Sequence, residues 1–203
     1  MYIRRDQLLN KLVRYRKKDI VKVITGIRRC GKSVLLNELF YDYLLSEGVP
    51  SDHIIKVSLD LKKWQSLRDG DVLYQYIAGA IHDDELYYVF LDEIQLVDGF
   101  EEVVNSIKAE FNTDVYITGS NSKLLSHDIN TIFRGRGIEI KVFPLSFAEF
   151  LAYRQIDKTD AFYEYVQFGG LPYAVREKEE QEKRAYLDMM VNTVVTRDMI
   201  DCY

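Results

Sequence analysis

Apolar positions along the chain switch repeatedly between strand-like alternation or short apolar runs and a spacing of about three and a half residues, the marks of strands and helices. Residues 6–16 predict a short amphipathic helix with Leu8, Leu9, Leu12 and Val13 inward. Ile20–Ile24 predicts a buried strand stopped by Thr25-Gly26. From Lys32 to about Glu47, Leu35, Leu36, Leu39, Phe40, Tyr43 and Leu44 recur at helical spacing until Gly48 and Pro50 end the run. Ile54–Leu59 reads as a second strand, and Asp71 as the N-cap of a helix reaching about Ile81. Tyr87–Leu91 is apolar throughout, as suits a strand covered on both faces. A helix over Phe100–Phe111, a fourth strand over Val115–Thr118, a short helix near Ser122–Ser126 and a fifth strand over Ile138–Phe143 follow.

Five strand–helix alternations predict a parallel sheet with helices on both faces, an α/β fold. Beyond Pro144 only helices are expected, over Ser146–Arg154, Asp160–Phe168 and about Glu177–Ile200. The charged stretch Arg176–Arg184 within the last reads as a solvated flank. The division falls at 1–144 for the α/β part and 145–203 for a helical tail, read as an incomplete second domain or a piece of a longer protein. There is no internal repeat and no low-complexity segment.

Composition narrows the class. With 203 residues, 47% hydrophobic and 29% charged, the chain has room for one domain and a small appendage and is not disordered. Eleven Gly and three Pro exclude a collagen-like or linker-dominated chain. Two cysteines, Cys30 and Cys202, are too few for a disulfide scaffold and suit a reduced, cytoplasmic compartment. No apolar run approaches the roughly 20 residues a bilayer span needs, and the charged N-terminus has no signal-peptide core. Net charge is −5, yet residues 1–32 hold 11 of the 27 basic residues and only two of the 32 acids. Such a basic front suits phosphates, of a nucleotide or of nucleic acid, or is simply a solvated helix face. No helix-turn-helix, zinc or aromatic-platform signature favours nucleic acid, and His53, His82, His127 and the cysteines show no metal-ligand spacing.

The chemistry concentrates at four places. Gly26-Ile27-Arg28-Arg29-Cys30-Gly31-Lys32-Ser33 fits GxxxxGKS between a predicted strand and a predicted helix that opens toward Val34, the context that gives this motif its meaning. Gly26 and Gly31 permit backbone torsions closed to other residues, so that successive N–H groups can wrap a β-phosphate at a helix N-terminus. Lys32 supplies a point charge to the β- and γ-phosphates, and the Ser33 hydroxyl is an oxygen ligand for Mg²⁺. Arg28 and Arg29 are expected to face outward. Cys30 lies where a helix N-terminus can lower a thiol pKa but reads as a plain loop residue. Strand three then ends in Asp92-Glu93: Asp92 to hold Mg²⁺ through a water, Glu93 to orient and deprotonate an attacking water. Strand four ends in Thr118-Gly119-Ser120-Asn121, where Ser120, or Asn121 after it, reaches a γ-phosphate if strand four lies between strands one and three. Finally Arg134 or, preferably, Arg136 in FRGRG is a candidate to neutralise charge on a transferred phosphoryl group, within the chain or across a subunit interface.

TGIRRCGKS, FLDEIQ, TGSNSKLL, FRGRG and PLSFAEF, in this order over about residues 1–175, resemble the AAA+-related ATPases of bacteria and archaea that typically carry an additional C-terminal domain. The resemblance implies a P-loop NTPase core, three-layer α/β/α, with a five-stranded parallel sheet in the order 5-1-4-3-2 and a small helical lid, within which Phe168-Gly169-Gly170-Leu171-Pro172 resembles a GG-x-P turn. It implies Mg-ATP binding, with Lys32 and Ser33, Asp92 and Glu93, Ser120 and Arg136 at the matching positions. The leading expectation is ATP hydrolysis by water. The alternative is a nucleotide-dependent switch with negligible turnover that presents a surface to a protein partner or to a second copy.

Overall fold

The computed structural model describes residues 2–119, 129–133 and 135–200. Two compact units emerge, one built from Arg4–Val142 and the other from Phe143 onward.

The first unit begins with α1 (Asp6–Tyr15), followed by β1 (Val21–Thr25). The next helix, α2, starts at Lys32–Val34, widens into a π-helical Leu35–Phe40 and closes as Tyr41–Ser46. Then come β2 (Ile54–Ser58), a 3₁₀ stretch over Lys62–Arg68, α3 (Gly70–Ala80), β3 (Tyr87–Asp92), α4 (Phe100–Glu110), β4 (Thr113–Gly119), α5 (Ile129–Ile132) and β5 (Gly137–Lys141). All strand pairs are parallel, in the order β2-β3-β4-β1-β5, the expected 5-1-4-3-2 counted from the other edge.

Period-two alternation splits the sheet's side chains between two cores. Val89 and Leu91 of β3 with Val115 and Ile117 of β4 pack under Leu73 and Ile77 of α3 and Val104 and Ile107 of α4. Tyr88, Phe90 and Tyr116 point the other way, onto Leu8 and Leu12 of α1 and Leu35, Leu36 and Phe40 of α2. This is the three-layer arrangement, and it explains why β3 and β4 carry almost no exposed side chain. The cap of α3 is one correction. Asp69, not Asp71, accepts hydrogen bonds from the amides of Asp71 and Val72, because the helix starts earlier, at Gly70. The helix expected at Ser122–Ser126 lies outside the described residues.

The second unit contains α6 (Phe147–Arg154), α7 (Lys158–Phe168), α8 (Pro172–Arg176) and α9 (Glu180–Ile200), and among the described residues no strand. Ser146 and Glu149 form a reciprocal capping box that fixes where α6 begins. Leu145, Phe150, Ala161 and Val175 make its core. Gly170 must be glycine: a Cβ there would lie 2.1 Å from the Leu145 carbonyl oxygen, whose own amide donates to Gly170 O at 2.7 Å. The charged stretch Arg176–Arg184, which runs into the first turn of α9, is mostly solvated as expected, except Lys183, which is buried against Glu164. Among the described residues no helix is long and apolar enough to cross a membrane.

Candidate functional site

Parallel strands place all their C-terminal ends along one edge, and three of the predicted motifs leave the sheet there. Gly26–Gly31 follows β1, Asp92-Glu93 closes β3, and Thr118-Gly119 closes β4 between them. In register, Thr25 stands beside Gly119 and Leu91 beside Ile117.

Local torsions show why the loop takes the sequence it does. Gly26 has φ +145° and lies so close to β5's exit that a Cβ would meet the Val142 carbonyl oxygen at 2.1 Å. Gly31 has φ +102° and starts α2. Arg29 adopts φ +63°, an uncommon conformation for a non-glycine residue. Ile27, Arg28 and Arg29 are exposed, whereas Cys30 is buried. Burial pushes the Cys30 thiol up, with nearby Lys32 and Arg5 pulling weakly against it, so the helix terminus does not make it a low-pKa thiol.

Lys32 is 4% exposed, and its ammonium donates to the carbonyls of Gly26 at 3.0 Å and Ile27 at 3.2 Å. Its neighbour Ser33 lies near enough to Asp92 to lower that carboxyl, so the end of the loop and the end of β3 meet. Asp92 is 3% exposed. Burial holds its carboxyl above the ordinary range, opposed by the hydroxyls of Thr118 and Ser33. Asn37, in the π-helical part of α2, donates its side-chain amide to the other Asp92 oxygen at 3.3 Å. Widened helical turns of this kind are frequent at functional sites.

Glu93 follows in the left-handed region, φ +57°. Its amide donates to Thr118 Oγ1 at 3.0 Å, and its carboxylate accepts from Gln95 Nε2. Thr118 therefore clasps both acids at once: its hydroxyl donates to Asp92 and accepts from Glu93 N–H. Sequence reading passed over Thr118, Asn37 and Gln95. Thr118 looks like an ordinary strand residue until β4 is known to lie against β3.

Other predicted residues stand elsewhere or outside the description. Ser120, Asn121 and Arg134 lie outside the described residues. Arg136 is not brought to this edge. It precedes β5, where Gly137 pairs with Val21 at the N-terminal end of β1, and its guanidinium sits 3.7 Å from Asp19. At about 3.3 Å per residue, the five residues from there to the loop amount to roughly 16 Å. Of the two expected routes, within the chain or across a subunit interface, this position suits the second.

The donors fit Mg²⁺. Ser33 and Asp92 present oxygens near each other, the ligand type this cation takes. The side-chain oxygen of Asn37 beside them is buried without a hydrogen-bond partner.

A sequence profile described as an AAA domain matches residues 18–151. An uncharacterised protein of Haemophilus influenzae is 37% identical over 203 residues, covering 97% of this chain and 50% of that protein. The chain spans about half the length of the curated relatives it matches. Among solved structures, a Walker-type ATPase of Pyrococcus abyssi aligns with a TM-score of 0.54 at 15% identity over 98% of this chain and 75% of that one. Cdc6p from Pyrobaculum aerophilum aligns with a TM-score of 0.54 at 13% identity over 79% of this chain and 50% of that one. At such identities the likeness is one of fold.

Proposed function

This chain belongs to the AAA domain family, and from that premise we propose that it binds Mg-ATP in the Gly26–Val34 loop and hydrolyses it to ADP and phosphate. The observation that carries the reading is the meeting of the loop's end with the ends of β3 and β4. Ser33 lies near enough to Asp92 to lower its carboxyl, Thr118 binds Asp92, and Lys32 is buried against the Gly26 and Ile27 carbonyls with no carboxylate among the described residues.

Each residue has a task that its surroundings suit. Backbone amides of the loop receive the β-phosphate. Lys32 leaves the Gly26 and Ile27 carbonyls for the β- and γ-phosphate oxygens. Ser33 and Asp92 would hold Mg²⁺, which when bound neutralises charge on those oxygens. Thr118 fixes the Asp92 carboxylate and, through the Glu93 amide, the turn that aims Glu93. Glu93 accepts the proton of a water whose oxygen attacks the γ-phosphorus, while the bond to the bridging oxygen breaks and ADP leaves. Ser120 is kept as a candidate contact to the γ-phosphate. Arg136, exposed and remote from the loop, is proposed to act only on the nucleotide of a second copy.

One observation favours a second reading, a switch with negligible turnover. Gln95 already holds the Glu93 carboxylate, so the base is engaged until that contact is released. Purified chain given Mg-ATP should release phosphate. Lys32→Ala should abolish nucleotide binding, and Glu93→Gln should keep binding while cutting release by about 10²–10⁴-fold. Tight ATP binding with no release from the wild-type chain selects the switch, and equal release by wild type and Glu93→Gln removes the assignment of the base.

A further inference from the structure

Arg5 belongs to none of the phosphate-site motifs, yet it reaches the phosphate loop. It stands immediately before α1, and the Leu9 amide bonds its carbonyl at 2.8 Å, which fixes its backbone on the first turn. The helix itself is seated by Leu8 and Leu12 against Leu35 and Leu36 of α2. So placed, the Arg5 side chain is buried, 7% exposed, and its Nη1 donates to the carbonyl oxygen of Cys30 at 3.2 Å.

That carbonyl shares a peptide plane with the amide of Gly31. The plane is trans, so the N–H points opposite to the C=O. A cation on the carbonyl does two things. It locks the orientation of the plane, and it withdraws electron density through the amide, which makes the N–H a stronger donor. Lys32 covers the carbonyls of Gly26 and Ile27 in the same way, so three loop carbonyls are turned onto buried cations. We infer that Arg5 is a positioning residue for the loop: it holds and polarises the Cys30–Gly31 peptide so that the Gly31 amide grips the β-phosphate of a nucleotide. The inference rests on the reading of the loop as a phosphate site.

Cys-Gly occurs once in the sequence, at Cys30-Gly31. Chain labelled with ¹³C-carbonyl cysteine and ¹⁵N-glycine therefore gives a single carbonyl–amide correlation peak, from this peptide. Arg5→Gln, which keeps a hydrogen-bond donor but removes the charge, should move the Gly31 amide proton and the Cys30 carbonyl upfield before any nucleotide is added. Arg5→Lys should leave both close to wild type. In calorimetric titrations Arg5→Gln should weaken ADP by about tenfold or more while leaving AMP, which lacks a β-phosphate, unchanged, and Arg5→Lys should recover most of the loss. A peak that stays in place in Arg5→Gln, or equal weakening of ADP and AMP together with a lower thermal midpoint, overturns the inference in favour of a purely structural role. If Arg5→Gln does not fold, the lysine variant decides: a peak and an ADP affinity near wild type support the inference, and a tenfold loss of ADP affinity overturns it. A wild-type chain that binds no ADP brings down the phosphate site itself, and Arg5's role with it. A wild-type chain that binds ADP no better than Arg5→Gln brings down only Arg5.

Discussion

Two buried lysines, one within β1 and one just past its end, are held in opposite ways. Lys22 lies on the β1 ladder, fully buried, and is matched by Asp114 of β4, with the Lys18 carbonyl as a second acceptor at 2.9 Å. Asp114 in turn accepts from the Tyr116 hydroxyl at 3.1 Å and the Lys17 amide at 2.8 Å. Lys32 is nearly as buried, but the described residues give it carbonyls and no carboxylate. The acid of that edge, Asp92, is bound by the Thr118 hydroxyl and the Asn37 side-chain amide. One end of the sheet neutralises its own charges. The other holds a cation and an acid that, among the described residues, meet neutral groups alone, which suits the outside anion and cation proposed above. The basic front of the sequence divides along this line: part of its charge, at Lys22, is structural, and part, at Lys32 and Arg5, serves the loop.

The largest expected effect tests that division directly. Lys22→Met strands Asp114 in the interior and should destabilise the chain by about 3–5 kcal/mol, the usual penalty for removing one partner of a buried ion pair. Lys32→Met leaves no buried carboxylate behind, so its stability should stay within about 1 kcal/mol of wild type. ATP affinity should respond in reverse, falling by at least about a hundredfold in Lys32→Met, as for a lost buried charge contact. Urea denaturation of both variants decides the first half and nucleotide titration the second. A Lys32→Met chain destabilised as much as Lys22→Met would end the contrast.

A smaller effect separates the two edges by pH. Burial raises the Asp92 carboxyl above 3.8, so the folded chain holds that proton more tightly than the unfolded one. The associated stability is present at acid pH and is lost as pH rises through the folded value. Lys22 runs the other way. Burial, the largest influence on it, lowers the ammonium below 10.5 despite Asp114, so stability from this group is gained as pH climbs through its folded value toward 10.5. Asp92→Asn should therefore stabilise the nucleotide-free chain at neutral pH by about 1 kcal/mol, with the advantage shrinking toward pH 3. Thermal unfolding midpoints of wild type and variant across pH 3–8 measure it, and a constant gap would mean that Asp92 is not the strained member of the pair.

The contrast was half legible in the sequence. The apolar run Tyr87–Leu91 ending in two acids, and GxxxxGKS between a strand and a helix, declare their positions because periodicity and local turn chemistry are short-range signals. Lys22, in the middle of Ile-Val-Lys-Val-Ile, also carries a signal: a lone charge in a buried strand needs a partner. Which acid supplies it was not legible, because Asp114 comes 92 residues later and becomes a neighbour only through the β1–β4 pairing. Thr118 was missed for the same reason, lying 25 residues from the backbone group it binds. Where Arg136 stands was not legible either: the β1–β5 pairing puts it at the end of the sheet away from the phosphate loop. The π-helical winding around Asn37 leaves no local mark, since Leu35, Leu36, Leu39 and Phe40 fit ordinary helical spacing.

Asn37 gives the smallest effect and the finest test of an edge built to be completed. Its amide supports Asp92 at 3.3 Å, a long bond, and its side-chain oxygen is buried with no partner. Its main-chain carbonyl, within the widened turn, accepts from Lys56 at 3.4 Å, a contact that any side chain at this position preserves. Asn37→Ala removes one weak bond and one unsatisfied acceptor together, and these oppose each other, so the nucleotide-free chain should change by less than about 0.5 kcal/mol. If that oxygen belongs to the cation site, as an outer hydrogen-bond partner of whatever Asp92 and Ser33 hold, the loss should appear only with the cation present. The Mg²⁺ concentration needed to tighten ATP binding should then rise by up to about tenfold, while ATP affinity in excess EDTA stays at the wild-type value. Asn37→Ser, short but still polar, should fall between. A cation requirement that does not move would place Asn37 with Lys22 and Asp114, among the groups that only hold the sheet together.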